Sequence, residues 1–331
     1  MRIALAQINS TVGDLDGNQR KIAQYIRQAQ NQKADIVVFP ELAVPGYPPE
    51  DLLYKDHFVK DNLRALRSLI KETKNISAVI GFVDVDQKKS LYNAAAIIHN
   101  GRLKGVIYKQ DLPNYGVFDE KRYFKSGQSF NLYSLGQNLF SVSICEDIWK
   151  DDGLAGAQAK AGAQLLINIS SSPYHHGKVS LREGMLRHRA RQTKAFISYA
   201  NLIGGQDELV FDGGSLIVNP QGEVLFRARQ FSEDLLVADL EIPAGRKSKA
   251  VKKSKMIMLA GTAIQQDRPS VKKHFYPPLE ANAEIYQALV LGTRDYVLKN
   301  NFQNVVFGLS GGIESSLVAC VAVDALGKEK V

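Results

Sequence analysis

The sequence predicts an α/β fold built in layers, and two observations indicate this class. Over about the first 240 residues, short apolar runs rich in β-branched residues alternate with segments whose apolar residues recur at helical spacing. Three of the predicted strands, which end at Phe39, Ile144 and Ile169, lead into polar loops with reactive side chains. Because ligands collect outside the carboxyl ends of strands in such folds, these three loops are expected to meet at one site.

The predicted strands and helices of the first half follow one another in a regular order. Apolar residues at helical spacing predict two amphipathic helices, marked by Ile22, Ile26 and Ala29 and then by Leu63, Leu66 and Ile70. Between and after them, apolar runs predict strands at Arg2–Ile8, Asp35–Phe39, Ser77–Val83 and Tyr92–Ile98. The dipeptide Asn100-Gly101 then predicts a tight hairpin turn.

The last part of the chain changes character. Residues Pro243–Pro278 lose periodicity and gain Lys, Gly and Pro, which is typical of a linker. After them the pattern predicts a helix at Glu284–Lys299, a strand at Val305–Phe307 and a helix at Ser316–Leu326. We therefore expect a first domain over residues 1–245, a basic linker over 246–278, and the incomplete start of a second domain over 279–331.

Composition limits the kind of protein. The chain has 331 residues, of which 45% are hydrophobic and 23% charged, as in an ordinary globular protein. Its two cysteines, Cys145 and Cys320, exclude a disulfide framework and favour a reducing, cytoplasmic location. The N-terminal segment lacks the pattern of a signal peptide, and no apolar stretch of about eighteen residues predicts a membrane span.

The positive charge is concentrated in one place. The formal net charge is +8, and most of the excess comes from six cations in an acid-free run: Arg246, Lys247, Lys249, Lys252, Lys253 and Lys255. Such a run between folded segments is more often a solvated linker than a nucleic-acid site, so no nucleic-acid partner is expected. A basic binding module without catalytic activity stays open as an alternative.

The two cysteines lie in different contexts. Cys145 ends an apolar strand and precedes Glu146 and Asp147, which predicts partial exposure and a reactive thiol. Cys320 lies in an apolar helical segment, where a free cysteine is typically a small buried hydrophobe. A nucleophilic thiol needs a proton acceptor and positive charge nearby, which Glu41 and Lys109 can supply. Taken singly, each of these two is also an ordinary surface residue.

Together, three segments resemble one family. Phe39-Pro40-Glu41, Tyr108-Lys109 and Ile144-Cys145-Glu146-Asp147 resemble, in this order, the Glu, Lys and Cys motifs of the nitrilase superfamily. The resemblance covers residues 1 to about 245 and implies a four-layer αββα sandwich that hydrolyses carbon–nitrogen bonds. It also implies that Cys145 is the nucleophile, Glu41 the base and Lys109 the oxyanion donor.

Finer features are similar to one branch of that superfamily. The segments Pro45–Leu53 and Leu112–Glu120 look like the glutaminase domain of the glutamine-dependent NAD synthetases. This resemblance implies that Tyr115, Ser172 and Lys178 contact L-glutamine and that Glu120 supports Lys109.

A glycine-rich turn near the C-terminus predicts a phosphate site. It follows a predicted strand and opens a helix, which directs backbone N–H groups at an anion. It lacks the Lys-Ser/Thr ending of a Walker A loop, and no histidine after His274 could complete a serine hydrolase triad. The turn resembles the pyrophosphate loop of N-type ATP pyrophosphatases, which implies ATP binding through Gly308, Leu309, Ser310, Gly311, Gly312, Ile313, Glu314 and Ser315. In that family the acidic position holds Mg²⁺, and here Glu314 replaces the usual aspartate.

These expectations combine into one functional hypothesis. The chain is expected to be the glutaminase half of an enzyme that uses ATP, Mg²⁺ and glutamine-derived ammonia to amidate deamido-NAD, and the resemblance suggests a homo-oligomer. By itself the chain is expected to act as a glutaminase only. A free-standing amidase or carbamoylase with the same Cys-Glu-Lys chemistry stays open as the main alternative.

Overall fold

The computed structural model describes residues 1–151, 153–243, 254–259, 268–271 and 274–331. Its strands, in chain order, are β1 (Arg2–Gln7), β2 (Ile36–Val38), β3 (Ser77–Val85), β4 (Leu91–His99), β5 (Arg102–Tyr108), β6 (Phe130–Leu135), β7 (Asn138–Ile144), β8 (Leu165–Ser170), β9 (Phe196–Asn201), β10 (Ile203–Gln206), β11 (Leu209–Asp212), β12 (Leu216–Val218), β13 (Val224–Arg227), β14 (Asp234–Asp239) and β15 (Ser254–Leu259). Its α-helices are α1 (Leu15–Asn31), α2 (Asp56–Glu72), α3 (Glu120–Tyr123), α4 (Leu154–Lys160), α5 (Lys178–Thr193), α6 (Ala281–Lys299) and α7 (Ile313–Leu326).

The described residues form two large sheets that pack face to face. The first has the strand order β14-β1-β2-β3-β4-β5, and the second has the order β13-β12-β9-β8-β7-β6-β15. Apolar side chains of both sheets share one core, in which Leu5 and Val38 of the first sheet join Val142 and Ile167 of the second. The interface between the two sheets is therefore the centre of the fold.

Helices cover the outer face of each sheet. Ile22 and Ile26 of α1 and Leu66 of α2 are buried against the first sheet. Leu154 of α4 and Leu186 of α5 are buried against the second. The result is a four-layer αββα sandwich, which confirms the predicted fold class.

The predicted hairpin turn at Asn100-Gly101 is confirmed. Asn100 and Gly101 join β4 to β5, and both adopt the positive φ that this turn requires, at 48° and 71°. In the second sheet, β7, β8 and β9 run parallel to one another. The carboxyl ends of these strands therefore lie at one edge of the sheet, as expected from the sequence.

Two predictions near the C-terminal end need correction. Val305–Phe307 is not a strand: among the described residues no strand pairs with it, and the Val305 N–H donates instead to the carbonyl oxygen of Lys330 at 2.9 Å. Within the segment predicted to be a linker, β15 pairs in parallel with β6, because Met256 to Leu259 provide an apolar strand among basic residues. Residues Arg246, Lys247, Lys249, Lys252 and Lys253 of the basic run lie outside the described residues.

Helix α6 packs against the β10–β11 hairpin. Ala288 and Leu291 share a small core with Ile203 and Phe231. The buried Asp295 carboxylate accepts hydrogen bonds from the Asn9 side chain at 2.6 Å and from the Gly205 N–H at 2.8 Å. Across the ranges described, no helix combines the length and apolar character that a membrane crossing requires.

Candidate active site

The structure brings the three predicted catalytic side chains together. Glu41 follows β2, Lys109 follows β5, and Cys145 follows β7. Glu41 and Lys109 are fully buried, and Cys145 is 4% exposed. The Lys109 Nζ donates a hydrogen bond to Glu41 Oε1 at 2.7 Å, and the charges of both side chains act on the Cys145 thiol. Residues more than a hundred positions apart thus form one buried cluster.

Glu41 is held in a fixed orientation by three further hydrogen bonds. Asn93 Nδ2 donates to Oε1 at 2.7 Å, and the Ser171 N–H donates to Oε2 at 2.9 Å. The Ser171 hydroxyl donates to the backbone carbonyl of Glu41 at 2.9 Å. Both carboxylate oxygens are therefore engaged, and the carboxylate has little freedom to rotate away from the thiol.

Lys109 lies between two carboxylates. Its ammonium also donates to Glu120 Oε1 at 2.8 Å, and the Tyr47 hydroxyl donates to the same oxygen at 3.1 Å. Burial disfavours the charged lysine, but the carboxylates of Glu120 and Glu41 outweigh this effect and raise the pKa of Lys109 well above its ordinary value. Lys109 is therefore a permanent cation at neutral pH.

The Cys145 thiol is neutral in the resting site. Burial is the largest cause that raises the pKa of Cys145, and the Glu41 carboxylate raises it further, while Lys109 opposes both. The partial exposure predicted from its neighbours is wrong, because Cys145 is packed into the core that the two sheets share. Because the raised pKa favours the protonated thiol, a proton acceptor is needed at the moment of attack.

The second cysteine also differs from its prediction. Cys320 is exposed in α7, although its apolar segment predicted burial. The described residues place no partner element over that face of α7, where Leu317 is 49% exposed and Val318 is 51% exposed. An apolar sequence alone cannot tell whether the surface that should cover it is present.

Two of the three residues predicted to contact glutamine, Tyr115 and Lys178, lie near the thiol. Tyr115 is 59% exposed and its hydroxyl donates to Glu146 Oε1 at 3.1 Å, while the Lys178 ammonium lies 4.5 Å from the centre of the Trp149 ring. Tyr115 and Lys178 both lie within electrostatic range of the Cys145 sulfur. Ser172 is buried directly after Ser171, and its N–H donates to Asn201 Oδ1 at 3.0 Å.

Sequence reasoning missed several polar residues of the site. Asn93 and Ser171 orient Glu41, and the buried Asp147 binds backbone N–H groups beside both Lys109 and Cys145. A signal existed for Asn93, which is an amide inside the otherwise apolar run Tyr92–Ile98. A buried polar residue in a strand demands a partner, and here the partner is the Glu41 carboxylate.

The glycine turn that was predicted to bind phosphate is exposed and leads into α7. Gly311 has a φ of 85°, α7 begins directly after Gly312, and the Ser310 and Ser315 hydroxyls are 3.1 Å apart. The exposed backbone N–H groups at the start of this helix fit an anionic phosphate. Glu314 contributes one carboxylate, and within the described ranges no group of three His, Cys, Asp or Glu side chains could hold a metal ion.

Comparison with known families now places the chain. The carbon–nitrogen hydrolase family model matches residues 2–249, which is most of the chain. The chain belongs to the carbon–nitrogen hydrolase family. A second family model, NAD synthase, matches residues 285–331 of this hydrolase, a segment that contains α7 and most of α6.

Relatives of this carbon–nitrogen hydrolase are longer proteins. A glutamine-dependent NAD(+) synthetase of Aquifex aeolicus is 43% identical over 339 residues, which cover all of this chain and 60% of the relative. One from Thermotoga maritima is 41% identical, with 100% of this chain and 59% of the relative covered. The chain thus spans about three fifths of the length of these curated relatives.

Solved structures agree with the fold. A glutamine-dependent NAD⁺ synthetase from Acinetobacter baumannii, in complex with ADP, is 39% identical with a TM-score of 0.87, covering 100% of this chain and 58% of that one. The E41Q mutant of an amidase from Nesterenkonia sp. AN1, carrying acrylamide added at its active-site cysteine, is 28% identical with a TM-score of 0.66, covering 72% of this chain and 93% of that one.

Proposed function

We propose that this hydrolase releases ammonia from L-glutamine and is the glutaminase part of a glutamine-dependent NAD synthetase. The observation that carries the proposal is the presence, in one chain, of a buried Cys-Glu-Lys cluster and of a segment matched by the NAD synthase model. A general amidase has no need of the second segment. Ammonia made at the first site is the amide donor that an NAD-forming synthetase consumes.

The first half of the proposed reaction forms a thioester. Glu41 accepts the proton of the Cys145 thiol as its sulfur attacks the side-chain amide carbon of glutamine. The carbonyl oxygen gains negative charge, which the Lys109 ammonium stabilises. The carbon–nitrogen bond then breaks, the nitrogen takes the proton from Glu41, and ammonia leaves.

The second half restores the enzyme. Water attacks the thioester carbon and gives one proton to Glu41, and the Cys145 sulfur leaves with that proton as the neutral thiol. The products are glutamate and free enzyme. Because the thiol is neutral at rest, Glu41 must carry the proton in both directions, which fits a carboxylate held by three hydrogen-bond donors beside the sulfur.

Recognition of glutamine is assigned to the rim of the site. A free amino acid carries a carboxylate, and the partly buried Lys178 can pair with it close to Cys145. Burial lowers the pKa of Lys178, and a paired carboxylate would favour its charged form. Tyr115 and Ser172 supply polar groups for the rest of the substrate. Glu120 remains behind Lys109 and keeps its ammonium aimed at the thiol.

The complete protein is proposed to act as a carbon–nitrogen ligase in the cytoplasm, as a homo-oligomer. ATP would bind at Gly308–Ser315, Mg²⁺ would use Glu314 together with groups beyond the described residues, and deamido-NAD would receive the ammonia. The domain division is proposed as hydrolase (1–245), basic segment (246–278) and start of the synthetase (279–331). The 331-residue chain alone is expected to release ammonia from glutamine. It is not expected to form NAD when it is supplied with deamido-NAD, ATP, Mg²⁺ and ammonia.

The test is hydrolysis of L-glutamine, followed through release of both ammonia and glutamate. The wild-type chain and Cys320→Ala are expected to turn over glutamine at similar rates, whereas Cys145→Ala is expected to be inactive. Acetamide and propionamide serve as parallel substrates. Faster turnover of these simple amides than of glutamine would favour a free-standing amidase, and glutamine turnover by Cys145→Ala would overturn the mechanism.

A further inference from the structure

Asp147 is a buried carboxylate that the proposed reaction does not use. It lies two residues after Cys145 in the short 3-10 turn Cys145–Ile148, and its side chain is fully buried. Three backbone N–H groups donate to it: Ile144 to Oδ2 at 3.0 Å, Gln110 to Oδ1 at 2.9 Å and Asp111 to Oδ1 at 2.8 Å. Burial of a carboxylate costs free energy, and these three donors offset part of that cost.

Its partners belong to two separate chain segments. Ile144 immediately precedes the nucleophile, while Gln110 and Asp111 immediately follow Lys109. On its other side, the Lys109 backbone is tied to β4, because its N–H donates to the Asn93 carbonyl at 2.9 Å. The Lys109 backbone is therefore held by β4 on one side. On the other side it is held by Asp147, which accepts hydrogen bonds from the next two N–H groups of the chain.

The Cys145 turn itself needs support. Cys145 has a φ of 45°, which is uncommon for a residue with a side chain and persists only where the surroundings hold it. The hydrogen bond from the Ile144 N–H to Asp147 closes the turn around Cys145. The same carboxylate thus fixes both the direction of the thiol and the origin of the lysine side chain.

We propose that Asp147 is a positioning residue that sets the Lys109 ammonium relative to the Cys145 thiol. This inference rests on the proposed amide hydrolysis and deepens it, since Asp147 acts through these two residues without touching the substrate. A small displacement of either group lowers the rate steeply, because attack and oxyanion stabilisation must occur in one arrangement. A carboxylate suits this place because its two oxygens accept all three N–H groups, whereas an amide offers one oxygen and a competing donor.

The chain offers a matched control. Lys150 and Asp111 form an ion pair between the same two segments, but their side chains are 63% and 22% exposed. Exposed pairs contribute little to positioning. Lys150→Met therefore removes a connection between the same two segments that lies outside the core. It is expected to change kcat less than about twofold.

The main variant is Asp147→Asn. Its kcat for glutamine, referred to the concentration of reactive Cys145, is expected to fall on the order of 10- to 100-fold, with KM changed less than about threefold. Asp111→Pro removes one N–H donor together with the exposed ion pair. Its kcat is expected to fall clearly below that of Lys150→Met, which lacks only the ion pair, and this comparison carries the test if Asp147→Asn does not fold.

A second readout does not require glutamine turnover. In the E41Q mutant of the Nesterenkonia amidase, acrylamide adds at the active-site cysteine. In a Glu41→Gln background of this chain, the Cys145 S–H would add across the carbon–carbon double bond of acrylamide. The rate, measured by mass spectrometry with Cys320 as internal reference, is expected to fall in Asp147→Asn. The effect of Asp147→Asn should shrink to less than about threefold in a Lys109→Met background, because there is no ammonium left to position.

The outcomes separate the two proposals. If the wild type does not turn over glutamine but Asp147→Asn still slows acrylamide addition, the glutaminase proposal is refuted. Asp147 then remains a positioning residue. Equal kcat per reactive cysteine in Asp147→Asn and wild type would reduce Asp147 to a purely structural role. An unchanged acrylamide effect in the Lys109→Met background would also overturn the inference.

Discussion

Replacement of Lys109 by methionine should destabilise the fold in a way that depends on pH. The Lys109 ammonium is buried between Glu41 and Glu120, at 2.7 Å and 2.8 Å from one oxygen of each. Methionine fills a similar volume but leaves both carboxylates in the core without their cation. Removal of one member of a buried ion pair typically costs about 3–5 kcal/mol.

The expected size follows from the length of the folded unit. For a domain of about 150–250 residues, each kcal/mol shifts Tm by about 2–4 °C. The variant should therefore melt roughly 6–20 °C below the wild type near pH 7. The lower part of this range would mean that the site relaxes or admits water around the two carboxylates.

The direction of the pH effect follows from the pKa shifts. The raised pKa of Lys109 means that its contribution to stability is fully present below its ordinary pKa, so this group adds no pH dependence to the wild type between pH 5 and 8. Burial raises the pKa of Glu120, and without Lys109 only the smaller effect of the Tyr47 hydrogen bond opposes that rise. A buried carboxyl group with a raised pKa makes the fold less stable as the pH rises. The difference in Tm between the variant and the wild type should therefore grow from pH 5 to pH 8.

Differential scanning calorimetry at pH 5, 6, 7 and 8 tests this reasoning. Arg27→Met is the control, because the Arg27–Glu72 pair is exposed on both sides and 3.4 Å long. Its Tm should stay within about 2 °C of the wild type at each pH. A Lys109→Met variant that melts with the control, or whose deficit is constant across the four pH values, would refute the argument from buried charge.

Three further outcomes are expected. Asn93→Leu should lower kcat for glutamine about 10- to 100-fold, because Glu41 loses a charged hydrogen bond of 2.7 Å. Steady-state kinetics measures this change, and an unchanged kcat would contradict the role of Asn93. Arg182→Met should cost about 3–5 kcal/mol in urea unfolding, since it leaves Asp212 buried and unpaired, and a loss below about 1 kcal/mol would show that Asp212 finds another partner. Losses in Glu41→Gln and Lys109→Met should be less than multiplicative in the double variant, because the two groups act on one thiol.

The sequence by itself determined the fold class and the reactive residues. Alternating helical and strand patterns predicted the layers, because burial on one face leaves a period that can be read directly, as at Ile22, Ile26 and Ala29 of α1. The turn at Asn100-Gly101 was predictable because few residues adopt positive φ there. The motifs around Glu41, Lys109 and Cys145 likewise predicted which side chains would meet.

Only the tertiary structure decided how these residues are surrounded. Burial of Cys145 depends on the opposite sheet, and exposure of Cys320 on the elements present around α7, so neighbours in sequence predicted both incorrectly. The pairing of β15 with β6 and the unpaired Val305–Phe307 depend on whether a neighbouring strand offers free hydrogen-bonding groups. Asn93, Ser171 and Asp147 become part of the site through contacts across the fold. The sequence marks Asn93 as a polar residue in an apolar strand, but the partners of all three residues are set only when the chain has folded.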